Sequence, residues 1–398
     1  MTLSNTATRY GTVAKSLHWL TALLILTLIP TGIIANDMPY DTAEQLAEKA
    51  RLFSIHKTMG VAVFFVALAR ILWALTQTKP APLHPERRVE TFAASTAHWL
   101  LYGSLILVPL SGWIHHASTE GFAPILWPFS QELPFVPNSD RLAEVTASLH
   151  LIFERVMVAA LLAHIAGAFK HHLFDRDATL KRMWFGAAEG GLGKLHPKGA
   201  APVGAAVATW GVALFIGSTM GLFEPHARTI VATAELEAVE SEWQVVDGTL
   251  EIVVNQFGSD VAGTFADWTA AINFDETSST GDVNVTVAIA SLTLGSVTDN
   301  ALGPEYFAAA DFPTAEFQAE IAPAERGYIA AGTLTIKGVT VPIQLPFALD
   351  IDGDLASMEG RLSLDRTEFG VGGPAEDTVK RSVGVNVTLS ASKGGAGS

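Results

Sequence analysis

Five stretches of this chain are long and apolar enough to cross a bilayer, whose hydrocarbon core of about 30 Å takes roughly 20 helical residues. They run over Leu17–Ala35, Ile55–Thr76, Thr96–His115, Ala147–Phe169 and Val203–Phe223. Nothing else in the sequence restricts the fold so strongly, because lipid offers no partner to a backbone N–H or C=O and a helix satisfies both locally. Composition agrees: of 398 residues 49% are hydrophobic and 16% charged, with a mean hydropathy of +0.32, more apolar than a soluble globular chain. The first span has no A-x-A-like cleavage site behind it and reads as an uncleaved signal anchor.

Loop charge sets the expected orientation. Arg9 and Lys15 precede the first span, Lys79, Arg87 and Arg88 follow the second, and Lys170, Arg176, Lys181, Arg182, Lys194 and Lys198 lie between the fourth and fifth. The alternate loops are acidic, with Asp37, Asp41, Glu44 and Glu48 in one and Glu120, Glu132 and Asp140 in the other. By the positive-inside rule the N-terminus is cytoplasmic. An odd number of spans then places everything after the fifth outside, in the periplasm of a Gram-negative cell.

Beyond Phe223 the hydrophobic period changes from helical to two. Val283, Val285, Val287 and Ile289 alternate with polar or small residues, as do Val341, Ile343, Leu345 and Phe347, and then Val383, Val385, Val387 and Leu389. Short alternating runs separated by Gly, Pro and Asp predict antiparallel strands closing into a sandwich or barrel; Asn300–Ala310 reads as a short helix. The expected domains are 1–185, a helical membrane domain; 186–224, a linker and the fifth span; and 225–398, an all-β domain. From Pro225 onward 25 Asp and Glu stand against 8 Lys and Arg, a charge of −17, while the preceding residues carry +2. So acidic a domain excludes nucleic acid as a partner and does not dock on anionic headgroups.

The chain has no cysteine. Disulfides, thiolate metal sites and covalent C-x-x-C-H haem attachment are therefore excluded, and a metal centre must use histidine or carboxylate. All twelve histidines lie at or before His226. Intramembrane histidine is costly and marks function, and four qualify by depth: His18, His56, His150 and His164. His150 and His164 are 14 residues apart on one span, which puts them on one helix face about 21 Å apart along its axis. That layout suits two stacked cofactors, one in each leaflet. Alternating topology levels His18 with His164 and His56 with His150, giving two bis-histidine pairs. Iron ligated on both faces by imidazole has no open position and carries electrons rather than oxygen. His98 sits near the cytoplasmic end of the third span, within reach of a haem propionate or quinone or simply at the boundary. His115 with His116 and His171 with His172 read as solvated helix ends.

The segments KSLHWL (Lys15–Leu20), IHKTMG (Ile55–Gly60) and the run from Ser148 to Met183 resemble the prokaryotic cytochrome b561 family over about 185 residues. The resemblance places the family's four haem-ligand positions on His18, His56, His150 and His164. It implies a four-helix di-haem transmembrane bundle with two haem b, linked to ubiquinone, and in one branch oxidising periplasmic superoxide. Arg70, 14 residues after His56 and so on the same helix face, is a candidate partner of a haem propionate. Lys57 and Arg155 are candidates for steering an anion towards the outer haem.

The segments GTFADWTAAINFDE (Gly263–Glu276), EYFAAADFPTAEF (Glu305–Phe317), AAGTLTIKGVTVPIQLPF (Ala330–Phe347) and RTEFGVG (Arg366–Gly372) resemble the YceI family. This implies a lipocalin-like barrel that binds polyisoprenoid chains. A small barrel with apolar inward positions can enclose one elongated apolar ligand; Phe257, Phe265, Trp268, Phe274, Phe307, Phe312, Phe317, Tyr328 and Phe347 are the aromatics available to line it. A quinone-linked cytochrome and an isoprenoid binder share one plausible ligand, the quinone tail. Three functions follow: a redox enzyme relaying electrons between a periplasmic reductant such as superoxide and ubiquinone, an electron-transfer subunit of a separate dehydrogenase, or a membrane-anchored polyisoprenoid carrier.

Overall fold

In a computed structural model, the structure describes residues 2–40, 42–119, 121–186, 200–224, 233–237, 239, 241–295, 297–374, 376 and 378–394. Residues 187–199 of the linker expected within 186–224, the start of the β-domain at 225–232, and Asp41, Glu120, Lys194 and Lys198 of the charge argument lie outside these residues. The chain forms two compact units: Met1–Asp37, Leu52–Thr119 and Ile125–Pro225 in one, and Met38–Arg51, Glu120–Pro124 and His226–Ser398 in the other.

The helical unit is built from α1 (Thr12–Asp37), α2 (Ala43–Thr76) from Leu52 onward, α3 (Arg88–Ala117), α4 (Asp140–Lys170), a short α5 (Thr179–Met183) and α6 (Ala201–Thr219), while the first residues of α2, up to Arg51, fall in the other unit. Five of these are long and apolar enough to cross a membrane; α1, α3 and α4 start earlier and end later than the apolar runs that betray them, and α2 starts earlier and ends with its run at Thr76. The extra turns are polar, since a helix does not stop where the lipid does. Ser139 caps α4, its hydroxyl accepting the Leu142 N–H at 3.4 Å, which satisfies one of the donors a helix start leaves orphaned. At its other end α4 widens into a π-helical turn, His171–Asp175, closed by Arg176 at φ +53°. A packed cluster in mid-bundle takes Ile25 and Leu28 from α1, Val63 and Ala67 from α2, Leu105 and Val108 from α3, and Phe153 and Met157 from α4. Trp210 and Leu214 of α6 lean on it.

The β unit has ten strands: β1 (Trp243–Gln256), β2 (Ser259–Phe265), β3 (Trp268–Asp275), β4 (Thr280–Ala288), β5 (Leu292–Thr293), β6 (Thr314–Pro323), β7 (Tyr328–Ile336), β8 (Val339–Asp352), β9 (Leu355–Asp365) and β10 (Val379–Lys393). Eight close into an antiparallel barrel in the order β1-β10-β9-β8-β7-β6-β4-β3 and back to β1. Closure rests on Trp243 beside Ile272, with Ser241 Oγ accepting the Ile272 N–H at 2.6 Å. β2 and β5 extend from the remainder of β1. Alternation does what the sequence pattern requires: Phe317, Ala319 and Ile321 of β6 point inward while Glu316, Gln318 and Glu320 face out. The helix expected over Asn300–Ala310 is shorter, α7 (Thr298–Leu302), and turns follow it. Gly303 and Pro304 stop it, because proline cannot supply the next helical N–H.

Candidate functional site

The histidines of the helical unit fall at two levels, named here from the start of α1: lower, where α1 begins, and upper, where it ends. At the upper level α1 and α3 treat their neighbours' histidines alike. His56 Nδ1 of α2 lies 3.1 Å from the Leu28 carbonyl oxygen, and His150 Nδ1 of α4 lies 2.8 Å from that of Val108. A carbonyl only accepts, so both Nδ1 atoms carry the proton and both Nε2 atoms keep their lone pairs. Each ring also lies against a glycine. A Cβ on Gly32 would come within 2.8 Å of His56 Cε1, and one on Gly112 within 2.8 Å of His150 Nδ1. In each helix the glycine stands four residues after the accepting carbonyl, with a proline between, Pro30 or Pro109. A proline removes one helical hydrogen bond and bends its helix.

The lower level is assembled from side chains. The His18 and His164 rings lie 6.2 Å apart, centroid to centroid, and His98 brings a third imidazole to 5.0 Å from His164. Arg70 Nη2 lies 3.1 Å from His18 Nδ1, and its guanidinium carbon is 5.3 Å from the centre of the Tyr102 ring. Guanidinium only donates, so here His18 accepts at Nδ1 and holds its proton on Nε2, the reverse of the upper pair. Trp73 Nε1 and Thr96 Oγ1, three residues from Arg70 and two from His98, are buried without a hydrogen-bond partner. On every one of the four helices the mid-bundle cluster falls between the two levels, so an apolar partition separates them.

Other expected residues distribute unevenly. Lys57 is buried next to His56, whereas Arg155 is exposed and paired with Glu154 at 3.4 Å. His115 and His116 are half-buried rather than solvated: their rings lie 4.5 Å apart and His115 Nδ1 donates to the Ala143 carbonyl at 2.8 Å. His172 is exposed, as expected of a helix end, but His171 is held between Asp175 and Asp177. Gly32 and Gly112 escaped the sequence reading, although a glycine two or three residues after a proline inside an apolar span was there to be noticed.

The barrel encloses a cavity of about 290 Å³. Phe265, Trp268, Phe274, Phe307, Phe317 and Phe347 line it. The other three expected aromatics stand elsewhere. Phe257 occupies a turn at φ +50°, Phe312 packs by Gly338, and Tyr328, opening β7, stacks on Phe347 at 5.7 Å. Leu46 joins the lining, and Gln256 Oε1 accepts the Phe122 N–H at 2.8 Å. Arg366, from the RTEFGVG run, is buried, and its guanidinium donates to the carbonyls of Val371, Gly373, Val379 and Lys380 at 2.8–3.0 Å. Four of its five N–H donors thus go to backbone carbonyls, which makes Arg366 a latch of the barrel although it reaches the cavity lining.

Residues 9–186 match the family model described as prokaryotic cytochrome b561, and residues 234–391 that of the YceI-like domain. Along the chain, a stretch similar to cytochrome b561 is thus followed by one similar to the YceI-like domain. Among its relatives, cytochrome b561 homolog 2 of Escherichia coli is 28% identical over 184 residues, 46% of this chain and 95% of that protein. A probable superoxide oxidase, CybB, of Yersinia pestis is 23% identical over 179 residues, 44% and 95% of the two chains. The crystal structure of Burkholderia cenocepacia BcnA is similar at 28% identity and a TM-score of 0.35, covering 36% of this chain and 96% of that one. A Campylobacter jejuni YCEI protein is similar at 19% identity and a TM-score of 0.28, covering 42% and 94%. Similarity to cytochromes b561 implies a b-type haem, and five helices long and apolar enough to cross a membrane make this a multi-pass membrane protein.

Proposed function

We propose that the chain is a di-haem b cytochrome that moves electrons between a periplasmic reductant, superoxide being the sharpest candidate, and the ubiquinone pool. In this reading its N-terminus lies in the cytoplasm, its lower level faces the cytoplasmic leaflet, and its barrel stands in the periplasm and holds the isoprenoid tail of a quinone. The observation that carries it is the pair of imidazole levels with an apolar partition between them. The alternative role, as subunit of a separate dehydrogenase, has no observation of its own in its favour.

The residues fit the cofactor at both levels, though not equally. His56 and His150 already present Nε2 lone pairs, fixed by their Nδ1 bonds, which is how ligating imidazoles are commonly oriented. The lower rings stand 6.2 Å apart, centroid to centroid, which would leave room for an ion bonded to both at about 2.0 Å. Ligation through His18 Nε2 further requires Arg70 to turn from His18 Nδ1 to another acceptor, and a propionate carboxylate is one within its chemistry. Haem held by two imidazoles supplies reversible one-electron transfer without an open coordination position. The chain's own tasks are to hold the four rings, to keep water from the partition, and to place Lys57 beside the upper level. The inward apolar face of the barrel favours a hydrocarbon chain, each buried CH₂ contributing about 0.8 kcal/mol.

The test is purified protein given a superoxide source and a soluble ubiquinone. Quinone reduction that superoxide dismutase abolishes is the expected outcome; haem reduction with no quinone reduction would favour the dehydrogenase-subunit reading.

A further inference from the structure

Beyond the end of α4 at the lower level, a second group of ligating side chains converges that the haem reading does not use. Asp177 Oδ2 lies 2.7 Å from His171 Nδ1 and 3.0 Å from His84 Nε2, and all three atoms fall within 4.8 Å of one another. The Thr179 N–H donates to Asp177 Oδ1 at 2.8 Å and so orients the other oxygen towards the two rings. His84 comes from the segment between α2 and α3, and His171 from the π-helical turn. That turn, and the left-handed Arg176 after it, swing Asp175 and Asp177 back towards His171; both kinds of irregularity concentrate at functional sites.

Two further observations point to a cation. First, each imidazole faces a carboxylate on both nitrogens. His84 Nδ1 lies 3.3 Å from Glu86 and its Nε2 faces Asp177; His171 Nε2 lies 3.9 Å from Glu90 and its Nδ1 faces Asp177 and Asp175. A neutral imidazole has one N–H, so one side of each ring is left lone pair against carboxylate. A carboxylate on the outer nitrogen is the usual support of a ligating histidine. Second, the charges leave a remainder of two. Arg87 and Lys170 are committed to Asp175 and Glu90, at 2.6–3.4 Å, whereas the ion-pair partners of Asp177 and Glu86 are imidazoles. Two protons on the rings or one divalent ion among them restores neutrality.

We propose that His84, His171 and Asp177 bind one divalent first-row transition-metal ion of the zinc class, clipping the α2–α3 segment to the end of α4. Two imidazole nitrogens and one carboxylate oxygen suit such an ion and exclude calcium or magnesium, which demand more oxygens. The side chains are 32%, 20% and 12% exposed, which leaves a path for entry and room for water as a further ligand.

The test uses full-length, haem-loaded protein in detergent, stripped with a chelator and titrated with Zn²⁺ by calorimetry, with bound metal quantified by mass spectrometry. One Zn²⁺ per chain is expected, with affinity falling at least about tenfold in both His84→Ala and Asp177→Asn and unchanged in His172→Ala, which removes the exposed neighbouring imidazole. The haem spectrum reports folding in every variant, and His84, on a connecting segment, can be replaced without touching a helix. Absence of stoichiometric binding by the wild type, or equal binding by the His84 and Asp177 variants, would reduce the cluster to an ion-pair network and overturn the proposal.

Discussion

The two histidine levels of the bundle use the same residue type and are built in opposite ways. At the upper level backbone carbonyls hold His56 and His150, and glycines make room for their rings, so the geometry is fixed by two kinked helices. At the lower level side chains hold side chains: Arg70 donates to His18, and His98 leans on His164. Backbone is hard to move and a guanidinium is easy to move. In the proposed di-haem reading the upper pair is therefore pre-set for ligation, whereas the lower pair is tunable, through a charge that can pass between histidine and a carboxylate.

The comparison can be broken from the top. Gly112→Ala adds a methyl that lands 2.8 Å from His150 Nδ1, so the ring must shift and its bond to Val108 weakens. Alanine raises helix propensity by about 1 kcal/mol, so the helix should gain while affinity for the upper haem falls about 10–100-fold. Haem titration of the apoprotein checks this. An unchanged upper affinity would show that the glycine is mere packing.

Arg70→Met addresses the lower level. A cation beside haem favours the reduced state, so its loss should lower that haem's midpoint potential by on the order of 50 mV, about 1.2 kcal/mol for one electron. The upper haem should not move. A redox titration in which both haems shift equally, or the upper one shifts more, would remove the distinction between the levels.

The smallest effect is expected from the β unit. Ala330→Trp fills the cavity from a buried position on β7 and should lower co-purified polyprenyl quinone, measured by mass spectrometry, while both haem spectra stay as they are. Quinone retained at the wild-type level would place its tail elsewhere.

Much of this was legible in the sequence, for physical reasons. Intramembrane histidines are rare and their 14-residue spacing is helical arithmetic, so His150 and His164 stand out without a structure. The barrel's inward face follows from period two, which is why Phe265, Phe317 and Phe347 could be named. Parity fails at strand ends and turns, where Phe257 and Tyr328 lie. The Nδ1 bonds were illegible because a main-chain carbonyl has no sequence signature. The His84–His171–Asp177 cluster joins connecting segments about ninety residues apart in the chain, and a π-helical turn shifts the face that helical periodicity would assign to His171 and Asp175. Arg366 and Arg70 show the same limit: both are arginines among apolar residues, yet one is held by four carbonyls and the other faces one ring nitrogen.

The central claim is two haems on four histidines at two levels, and haem counting tests it most directly. Pyridine haemochrome quantitation against protein mass should give two haem b per chain in the wild type and one in each of His150→Ala and His164→Ala. One haem or none in the wild type, or two retained in both variants, would contradict it.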